Sequence, residues 1–237
     1  MTEAHLIDCM KYMADIPDKY FDLAVVDPPY GNTVPGFDKG KRFGGWFDRY
    51  KKIKTTGGGH GKRYGHKIIN WDIAPPKEYF DELFRVSKNQ IIWGGNYFDL
   101  PPTRCFIVWD KFRSEDFSMA MCEYAWTSFN ENAKIARIAY NGGAGSESDR
   151  FHPTQKPVAL YEWIFQRYAK PGYKILDTHL GSGSSRIAAH NMNLDFVGCE
   201  IDEEYFQKQE QRFKDHISQI TIDLQKEESA EQEAFDL

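Results

Sequence analysis

Four consecutive residues, Asp27-Pro28-Pro29-Tyr30, carry the clearest chemical signature in this chain of 237 residues. They follow the apolar run 23–26, which is typical of a buried strand that ends at a carboxylate. Because proline lacks a backbone N–H and has a fixed φ angle, the two prolines leave rigid carbonyl oxygens without adding donors. A carboxylate, free carbonyls and an aromatic ring together suit a flat ligand that carries an amino group, such as a nucleobase with an exocyclic amine.

A second candidate site is a glycine-containing turn at residues 177–185, between a predicted strand and a predicted helix. Gly181 and Gly183 allow a tight turn close to a ligand, and the helix start presents free N–H groups. Glu200 ends the next predicted strand, where doubly wound folds place an acid that accepts from ribose hydroxyls. The turn lacks the third glycine of a dinucleotide fingerprint, because position 186 is Arg. Asp177 suits a cationic nucleoside better than a pyrophosphate, and S-adenosylmethionine has this character.

Charge is unevenly distributed along the chain, whose net formal charge is −5. Residues 39–67 contain ten Lys or Arg and one acid, so this segment carries +9 and the remainder −14. Most charge runs are solvated surface segments, but a basic segment on an acidic body is also typical of a nucleic-acid-binding surface. The candidate nucleic-acid-binding residues are Lys39, Lys41, Arg42, Arg49, Lys51, Lys52, Lys54, Lys62, Arg63 and Lys67.

Composition is typical of a globular protein with a sizeable core, with 41% hydrophobic, 27% charged and 15% aromatic residues. An N-terminal signal segment and an apolar run of about 18 residues are both absent from the sequence, so we expect a cytoplasmic protein without a membrane partner. The four cysteines lack C-x-x-C spacing and are interpreted as reduced packing residues. The histidine spacing does not predict a metal site.

The elements that must position these motifs alternate between strands and helices. Strands are predicted at residues 4–9, 21–26, 90–93, 105–109, 123–129, 133–140, 173–177 and 196–200, with antiparallel pairing considered for those between 123 and 140. Helices are predicted at residues 10–19, 76–86, 158–168 and 185–190, and from 205 onward. This alternation predicts an α/β fold with a mostly parallel sheet. We expect one domain over residues 1–206 with a basic loop insert at about 31–70, and an acidic helical or disordered tail at 207–237.

With these motifs in this order, the chain resembles the amino-methyltransferases that act on DNA, specifically the small, phage-like N6-adenine enzymes of the β arrangement. The resemblance covers most of residues 4–206. In addition to Asp27–Tyr30, it includes Leu6–Cys9, which resembles the segment that touches the adenine of the cofactor. Residues 151–157 are similar to the His-Pro-x-x-Lys-Pro block near the methionine end of the cofactor. Residues 177–183 are similar to Asp-Pro-Phe-x-Gly-Ser-Gly, and Glu200 to the ribose acid.

The resemblance implies a Rossmann-like methyltransferase fold with permuted motif order: a seven-stranded, mostly parallel sheet with helices on both faces and one antiparallel strand. It also implies S-adenosylmethionine as cofactor and DNA as partner. The implied catalytic residues are Asp27, Pro28, Pro29 and Tyr30. The implied cofactor-binding residues are Asp8, Cys9, Asp27, His152, Thr154, Lys156, Asp177, Thr178, His179, Gly181, Ser182, Gly183, Glu200 and Ile201.

The chain departs from this family pattern in two places. Thr178-His179 replaces the usual Pro-Phe, whose ring packs near the reacting centre. Only residues 130–150 are available for the usual target-recognition insert, so recognition is expected to fall on residues 31–70 instead.

The expected function is therefore methyl transfer to the exocyclic N6 of adenine in a flipped-out base of DNA, in a phage or restriction–modification setting. Cytosine N4 remains open as the target, although enzymes of that type more often carry Ser in place of Asp27. Methylation of RNA or of a protein glutamine amide is a third alternative. A non-catalytic nucleic-acid-binding partner of an active methyltransferase is a fourth. The glycine spacing disfavours a nicotinamide-dependent oxidoreductase. A homodimer is left open.

Overall fold

One sheet organises the part of the chain that the computed structural model describes, which comprises residues 1–31, 73–113, 115, 120–140, 151–152 and 154–235. Its strands are β1 Thr2–Leu6, β2 Phe21–Val26, β3 Ser87–Trp93, β4 Phe106–Asp110, β5 Cys122–Thr127, β6 Lys134–Arg137, β7 Lys174–Asp177 and β8 Asp195–Glu200. They lie in the order β1-β8-β7-β2-β3-β5-β4-β6. The described residues thus form eight strands, one more than the seven expected.

Helices connect the strands on both faces of the sheet, as predicted. They are α1 Cys9–Ala14, α2 Lys77–Val86, α3 Val158–Tyr168, α4 Ser184–Asn191 and α5 Glu203–Phe235, with a 3₁₀ turn at Gly95–Tyr97. None of these described helices is both long enough and apolar enough to cross a membrane. The division into a domain over residues 1–206 with a separate tail remains a prediction.

The core lies in two layers because successive side chains of a strand point to opposite faces. In β2, Leu23 and Val25 belong to the layer that also contains residues of α3 and α4. Ala24 and Val26 belong to the opposite layer, with residues of α1 and α2. All four side chains are fully buried, so the central strand is covered on both sides, as parallel strands usually are.

One of the described strands, β5, runs in the opposite direction to the others. β5 pairs antiparallel with both β3 and β4, which confirms the expected antiparallel strand. β6, by contrast, pairs parallel with β4. Residues 134–137 therefore run antiparallel to β5, as considered, but they pair with β4 instead of β5.

The order of the strands reverses between β7 and β2, which are parallel neighbours. The chain continues from β2 to β3 on one side, and from β7 to β8 on the other. In open α/β sheets, ligands bind outside the carboxyl ends of the strands at such a reversal. Both sequence motifs begin there, since Asp177 ends β7 and Asp27 directly follows β2.

Candidate active site

A cavity of about 400 Å³ opens at this reversal point. It has the size of a small-molecule site. Residues predicted from five separate stretches of sequence meet around it. Those that line it are Asp8, Cys9, Asp27, Pro28, Pro29, Tyr30, His152, Thr154, Lys156, Thr178, His179, Gly181, Ser182, Glu200 and Ile201.

Asp27 places its carboxylate in the cavity wall with 13% of the side chain exposed. The Tyr30 hydroxyl donates to its Oδ1 at 2.8 Å, and the Lys156 ammonium donates to its Oδ2. Burial raises the pKa of Asp27 above its ordinary value, while the charge of Lys156 opposes that rise. Each carboxylate oxygen has a second lone pair, so both can still accept from a ligand.

Lys156 directly precedes the proline at the start of α3 and lies almost completely buried, with 3% of its side chain exposed. Its Nζ lies 3.3 Å from Glu123 Oε2 as well as against Asp27, and 5.1 Å from the centre of the Trp93 ring. Sequence reasoning did not identify Glu123. The available signal was an acid inside the otherwise uncharged strand β5, because a buried acid needs a cationic partner.

Tyr30 is held by the turn that follows β3. Its ring stacks on Tyr97, with 4.8 Å between ring centres and 23° between planes. Gly94 has φ +65°, and a Cβ there would lie 2.1 Å from the Tyr30 ring. A glycine at this position therefore makes room for the ring. Tyr97 also lines the cavity, although it is not among the residues predicted from the sequence.

The glycine turn follows β7 with left-handed backbone at Gly181 and Gly183, whose φ angles are +52° and +74°. The carboxylate of Glu200 accepts from the backbone N–H groups of Gly181 at 2.8 Å, Ile201 at 3.0 Å and Asp202 at 2.9 Å. Burial raises the pKa of Glu200, and these N–H donors oppose the rise. Glu200 thus fixes the turn while it faces the cavity.

Asp177 lies behind the glycine turn and does not line the cavity. Its Oδ2 accepts from the Ser185 hydroxyl at 2.6 Å, and its Oδ1 from the His179 backbone N–H at 3.0 Å. With the residue 2% exposed, burial raises its pKa to about 7. Asp177 therefore organises the start of α4. Gly183, the N-cap of α4, also lies outside the cavity lining.

Two histidines that are predicted to bind the cofactor contribute uncharged rings to the cavity wall. Burial lowers the pKa of His152 and of His179 to about 4 in each case. The His179 Nδ1 lies 2.9 Å from the Thr178 hydroxyl, which also bonds to Tyr79. At neutral pH, His179 therefore presents a neutral aromatic ring. The N6-adenine methyltransferases that the sequence resembles have phenylalanine at this position.

The nucleic-acid-binding prediction concerns residues that the structure does not describe. Lys39, Lys41, Arg42, Arg49, Lys51, Lys52, Lys54, Lys62, Arg63 and Lys67 all lie within residues 32–72, outside the described residues.

Known proteins with similar sequences include DNA methylases. Residues 107–211 match the family model N6_N4_Mtase, described as DNA methylase. This region contains the glycine turn and Glu200, while Asp27 lies outside it. The type II methyltransferase M1.MboII of Moraxella bovis is 21% identical over 266 residues, covering 86% of this chain and 94% of that protein. The chain is thus similar in sequence to DNA methylases.

Solved structures establish the fold. The M1.HpyAVI–SAM complex matches with a TM-score of 0.54 and 18% identity, covering 90% of this chain and 98% of that one. The cytosine-N4-specific PvuII DNA methyltransferase matches with a TM-score of 0.58 and 12% identity, covering 92% and 93% respectively. The chain therefore has the α/β fold of these methyltransferases.

Proposed function

We propose that this chain is an S-adenosylmethionine-dependent DNA methyltransferase that acts on the exocyclic N6 of adenine in a flipped-out base. The observation that carries the proposal is the position of the Asp27 carboxylate beside Tyr30, in the same cavity as the glycine turn and Glu200. The match to a DNA methylase family model over residues 107–211 supports the same reaction class.

The cavity residues fit S-adenosylmethionine, which would supply an electrophilic methyl group on a sulfonium. Glu200 would accept from a ribose hydroxyl through the remaining lone pair of its Oε2. The Asp8–Cys9 segment would face the adenine, and His152 and Thr154 the methionine end. Neutral His152 would add no positive charge beside the sulfonium. Asp177 would act indirectly, because it holds the glycine turn through Ser185 and the His179 backbone.

The target amine needs activation because its lone pair is delocalised into the base. The Asp27 carboxylate and the Pro28 carbonyl would accept its two N–H bonds and favour a pyramidal nitrogen whose lone pair faces the methyl group. Direct in-line displacement would then form the N–CH₃ bond and break the S–CH₃ bond. Proximity and preorganised acceptors would supply the acceleration. Asp27 would also take the proton that the methylated nitrogen loses.

The base must leave the duplex to reach the cavity, at a cost of a few kcal/mol. Stacking on Tyr30 would offset part of this cost, and Tyr97 stacks on the Tyr30 ring. The basic residues of segment 39–67 would bind phosphates and give affinity that falls with salt. A cytoplasmic location, a homodimer and a phage or restriction–modification setting remain predictions. The name of M1.MboII, a type II methyltransferase, supports the last of these.

Cytosine N4 is the second candidate target, because the PvuII enzyme with this specificity shares the fold at a TM-score of 0.58. Asp rather than Ser at position 27 favours adenine, by the resemblance described above. RNA and a protein glutamine amide present similar planar amines, and the basic segment favours a nucleic acid.

The experiment that tests the proposal incubates the protein and methyl-labelled S-adenosylmethionine with DNA of mixed sequence and then separates the nucleosides. The expected result is label in N6-methyladenine with the wild type and none above background with Asp27→Asn. Label solely in N4-methylcytosine would show that the target is the N4 amine of cytosine and not the N6 amine of adenine. A folded protein that binds the cofactor but labels neither nucleoside would contradict the proposal.

A further inference from the structure

Four charged side chains of alternating sign form a row that leads away from the cavity, with two buried cations and two partly buried anions: Asp27, Lys156, Glu123 and Lys111. We call this set the charge row. Lys156 contacts Asp27 and lies 3.3 Å from Glu123, and Lys111 contacts the other oxygen of Glu123. In the order given, their side chains are 13%, 3%, 27% and 5% exposed. Two anions and two cations make the row neutral, so every charge in it depends on its neighbours.

The fold places the charge row at the catalytic edge of the sheet. β5 runs antiparallel to β3 and β4, so its first residues, including Glu123, lie at the edge where those strands end. Lys111 directly follows β4, and Lys156 directly precedes the proline that starts α3. Aromatic rings flank both cations: Trp93 lies 5.1 Å from Lys156, and Trp109 lies 4.8 Å from Lys111. These rings exclude water, which strengthens the electrostatic interactions within the row.

We propose that Lys156, itself held by Glu123, is a positioning residue that keeps the carboxylate of Asp27 ionised and aimed at the target amine. The inference rests on the proposed function and assigns roles within it to Lys156 and Glu123. Lys156 therefore acts through Asp27. Glu123 holds the ammonium of Lys156, while its own charge opposes the ionisation of Asp27.

Ionisation of Asp27 matters because the reaction needs an acceptor. A buried carboxylate without a counter-charge takes up a proton instead of remaining charged. A protonated carboxyl group donates one hydrogen and accepts weakly, so it would no longer gather the N–H bonds of the amine. The ammonium of Lys156 can prevent the protonation of Asp27, because it contacts the Asp27 carboxylate directly.

The titratable groups that influence Asp27 act in opposite directions. The charge of Lys156 and the hydrogen bond from Tyr30 lower the pKa of Asp27, while burial and the charge of Glu123 raise it. Asp177 and Tyr161 are two further ionisable groups that interact electrostatically with Asp27. Replacement of Lys156 should therefore raise the pKa of Asp27, and replacement of Glu123 should lower it. Shifts of opposite sign follow from the charges alone, so a role in the reaction requires that the pH midpoint of the methylation rate moves together with the pKa of Asp27.

The variants are chosen so that each removes one charge and little volume. Lys156→Met keeps an unbranched chain, but it removes one partner of a buried ion pair and is therefore destabilising, so circular dichroism first establishes that the variant folds. Glu123→Gln removes a negative charge and keeps the shape. Lys88→Met is the matched control, because it breaks another Lys–Asp contact, at 2.6 Å, between Lys88 of β3 and Asp22 of β2, with Lys88 54% exposed.

Two measurements follow the ionisation of Asp27 in each protein. The first is its carboxyl ¹³C chemical shift against pH, which does not require activity. The second is the single-turnover methylation rate with saturating cofactor and DNA from pH 5.5 to 9.5. For Lys156→Met we expect both midpoints to rise by about one to three pH units. The methylation rate of this variant at pH 7 should be at least about tenfold below that of the wild type, and it should recover at high pH. For Glu123→Gln both midpoints should fall, and for Lys88→Met they should not move.

The outcomes separate this proposal from the proposed function. A wild type without methyl transfer to DNA contradicts the function, and the ¹³C titration still decides the role of the charge row. An active wild type whose Lys156→Met variant is uniformly slow at all pH values, with an unmoved ¹³C midpoint, overturns the proposal. If Lys156→Met does not fold, Lys156→Gln decides: a raised ¹³C midpoint of Asp27 supports the proposal, and an unchanged or lowered one refutes it.

Discussion

At the scale of single residues, two carboxyl groups near the cavity have environments that favour different protonation states. Asp27 touches the ammonium of Lys156, which favours the ionised form. Asp177 accepts from neutral donors, Ser185 and the His179 backbone, and burial raises its pKa to about 7. One group is therefore equipped to accept hydrogens from a substrate, while the other holds a turn and carries a proton over much of the acidic range.

Replacement of Asp27 by Asn should lower the single-turnover methylation rate by at least about 100-fold, because the amide oxygen is a weaker acceptor than a carboxylate. Cofactor affinity, measured by calorimetry, should change by less than about threefold, a difference of under about 0.7 kcal/mol. Asp18→Asn is the control, since this side chain is 76% exposed and pairs with Arg85 at the protein surface. Near-normal turnover in Asp27→Asn would exclude the proposed mechanism.

Asp177 should make stability depend on pH. Because its folded-state pKa is raised from 3.8 to about 7, the folded protein holds one proton that the unfolded chain releases between those values. The contribution of this group to the free energy of unfolding is therefore greatest at low pH and decreases as pH rises through that window, by up to about 1.4 kcal/mol per pH unit.

Asp177→Asn should remove this dependence, as measured by urea unfolding at pH 5 and pH 7.5. The difference between the two free energies of unfolding should shift in favour of pH 7.5 relative to the wild type. Asp81→Asn, on the exposed face of α2, is the control. An identical pH dependence in the wild type and Asp177→Asn would mean that Asp177 is ionised throughout this range.

At the scale of elements, the turn after β3 determines where the Tyr30 ring lies. Gly94→Ala should displace that ring, because the added Cβ would lie 2.1 Å from it. We expect KM for DNA to rise about tenfold or more, while the cofactor Kd stays within about twofold. Gly172→Ala is a matched control: its φ is +82°, and nothing lies within 4 Å of the added Cβ. It therefore reports the backbone strain alone, roughly 1 kcal/mol of stability.

Equal increases in KM for the two glycine variants would show that Gly94 acts through backbone strain alone. A rise confined to Gly94→Ala would assign the effect to contact with Tyr30. Circular dichroism and thermal unfolding of both proteins would show whether either substitution disturbs the fold as a whole.

Elements whose limits are set by local chemistry could be predicted from the sequence. β2 at Phe21–Val26 and α3 at Val158–Tyr168 have their predicted bounds, since proline residues lie just beyond β2 and just before α3. The strand predicted at residues 4–9 ends earlier, at Leu6. The reason is that the Asp8 side chain accepts from Met10 and Lys11 and caps α1.

Features set by distant pairing could not be predicted in the same way. The direction of β6 depends on its partner β4, and local alternation does not specify a partner. The role of Glu123 depends on β5 being antiparallel, which decides the end of the sheet at which it lies. Tyr97 follows β3 in a short 3₁₀ turn whose glycines predict a turn but not the ring that packs there. Sequence therefore identified the motif residues, while their supporting partners required the fold.

At the scale of the whole molecule, charge is unevenly distributed: segment 39–67 is basic and the rest of the chain is acidic. Replacement of Lys51, Lys52 and Lys54 by Gln should weaken DNA binding to a similar degree on unrelated sequences. It should also reduce the slope of log K against log salt concentration by about two to three, since each neutralised phosphate contact removes about 0.9. Fluorescence anisotropy from 50 to 300 mM salt would measure both effects.

A control with the same change in net charge replaces Lys77, Lys88 and Lys208, which are 80%, 54% and 44% exposed. Its slope should stay close to that of the wild type. If both triple variants lose the same slope, the affinity depends on overall charge and not on segment 39–67.

The pairing of β2 with β7 and of β1 with β8 has a consequence for synthesis on the ribosome. About 150 residues separate β2 from β7, and β1 pairs with a strand near the other end of the chain. Until residues 174–200 emerge, a nascent polypeptide therefore exposes a largely apolar β2 with one unpaired edge and a β1 with no neighbour. Chaperone dependence and aggregation should thus be greatest for chains truncated just before β7, and both should decline once β8 has been translated.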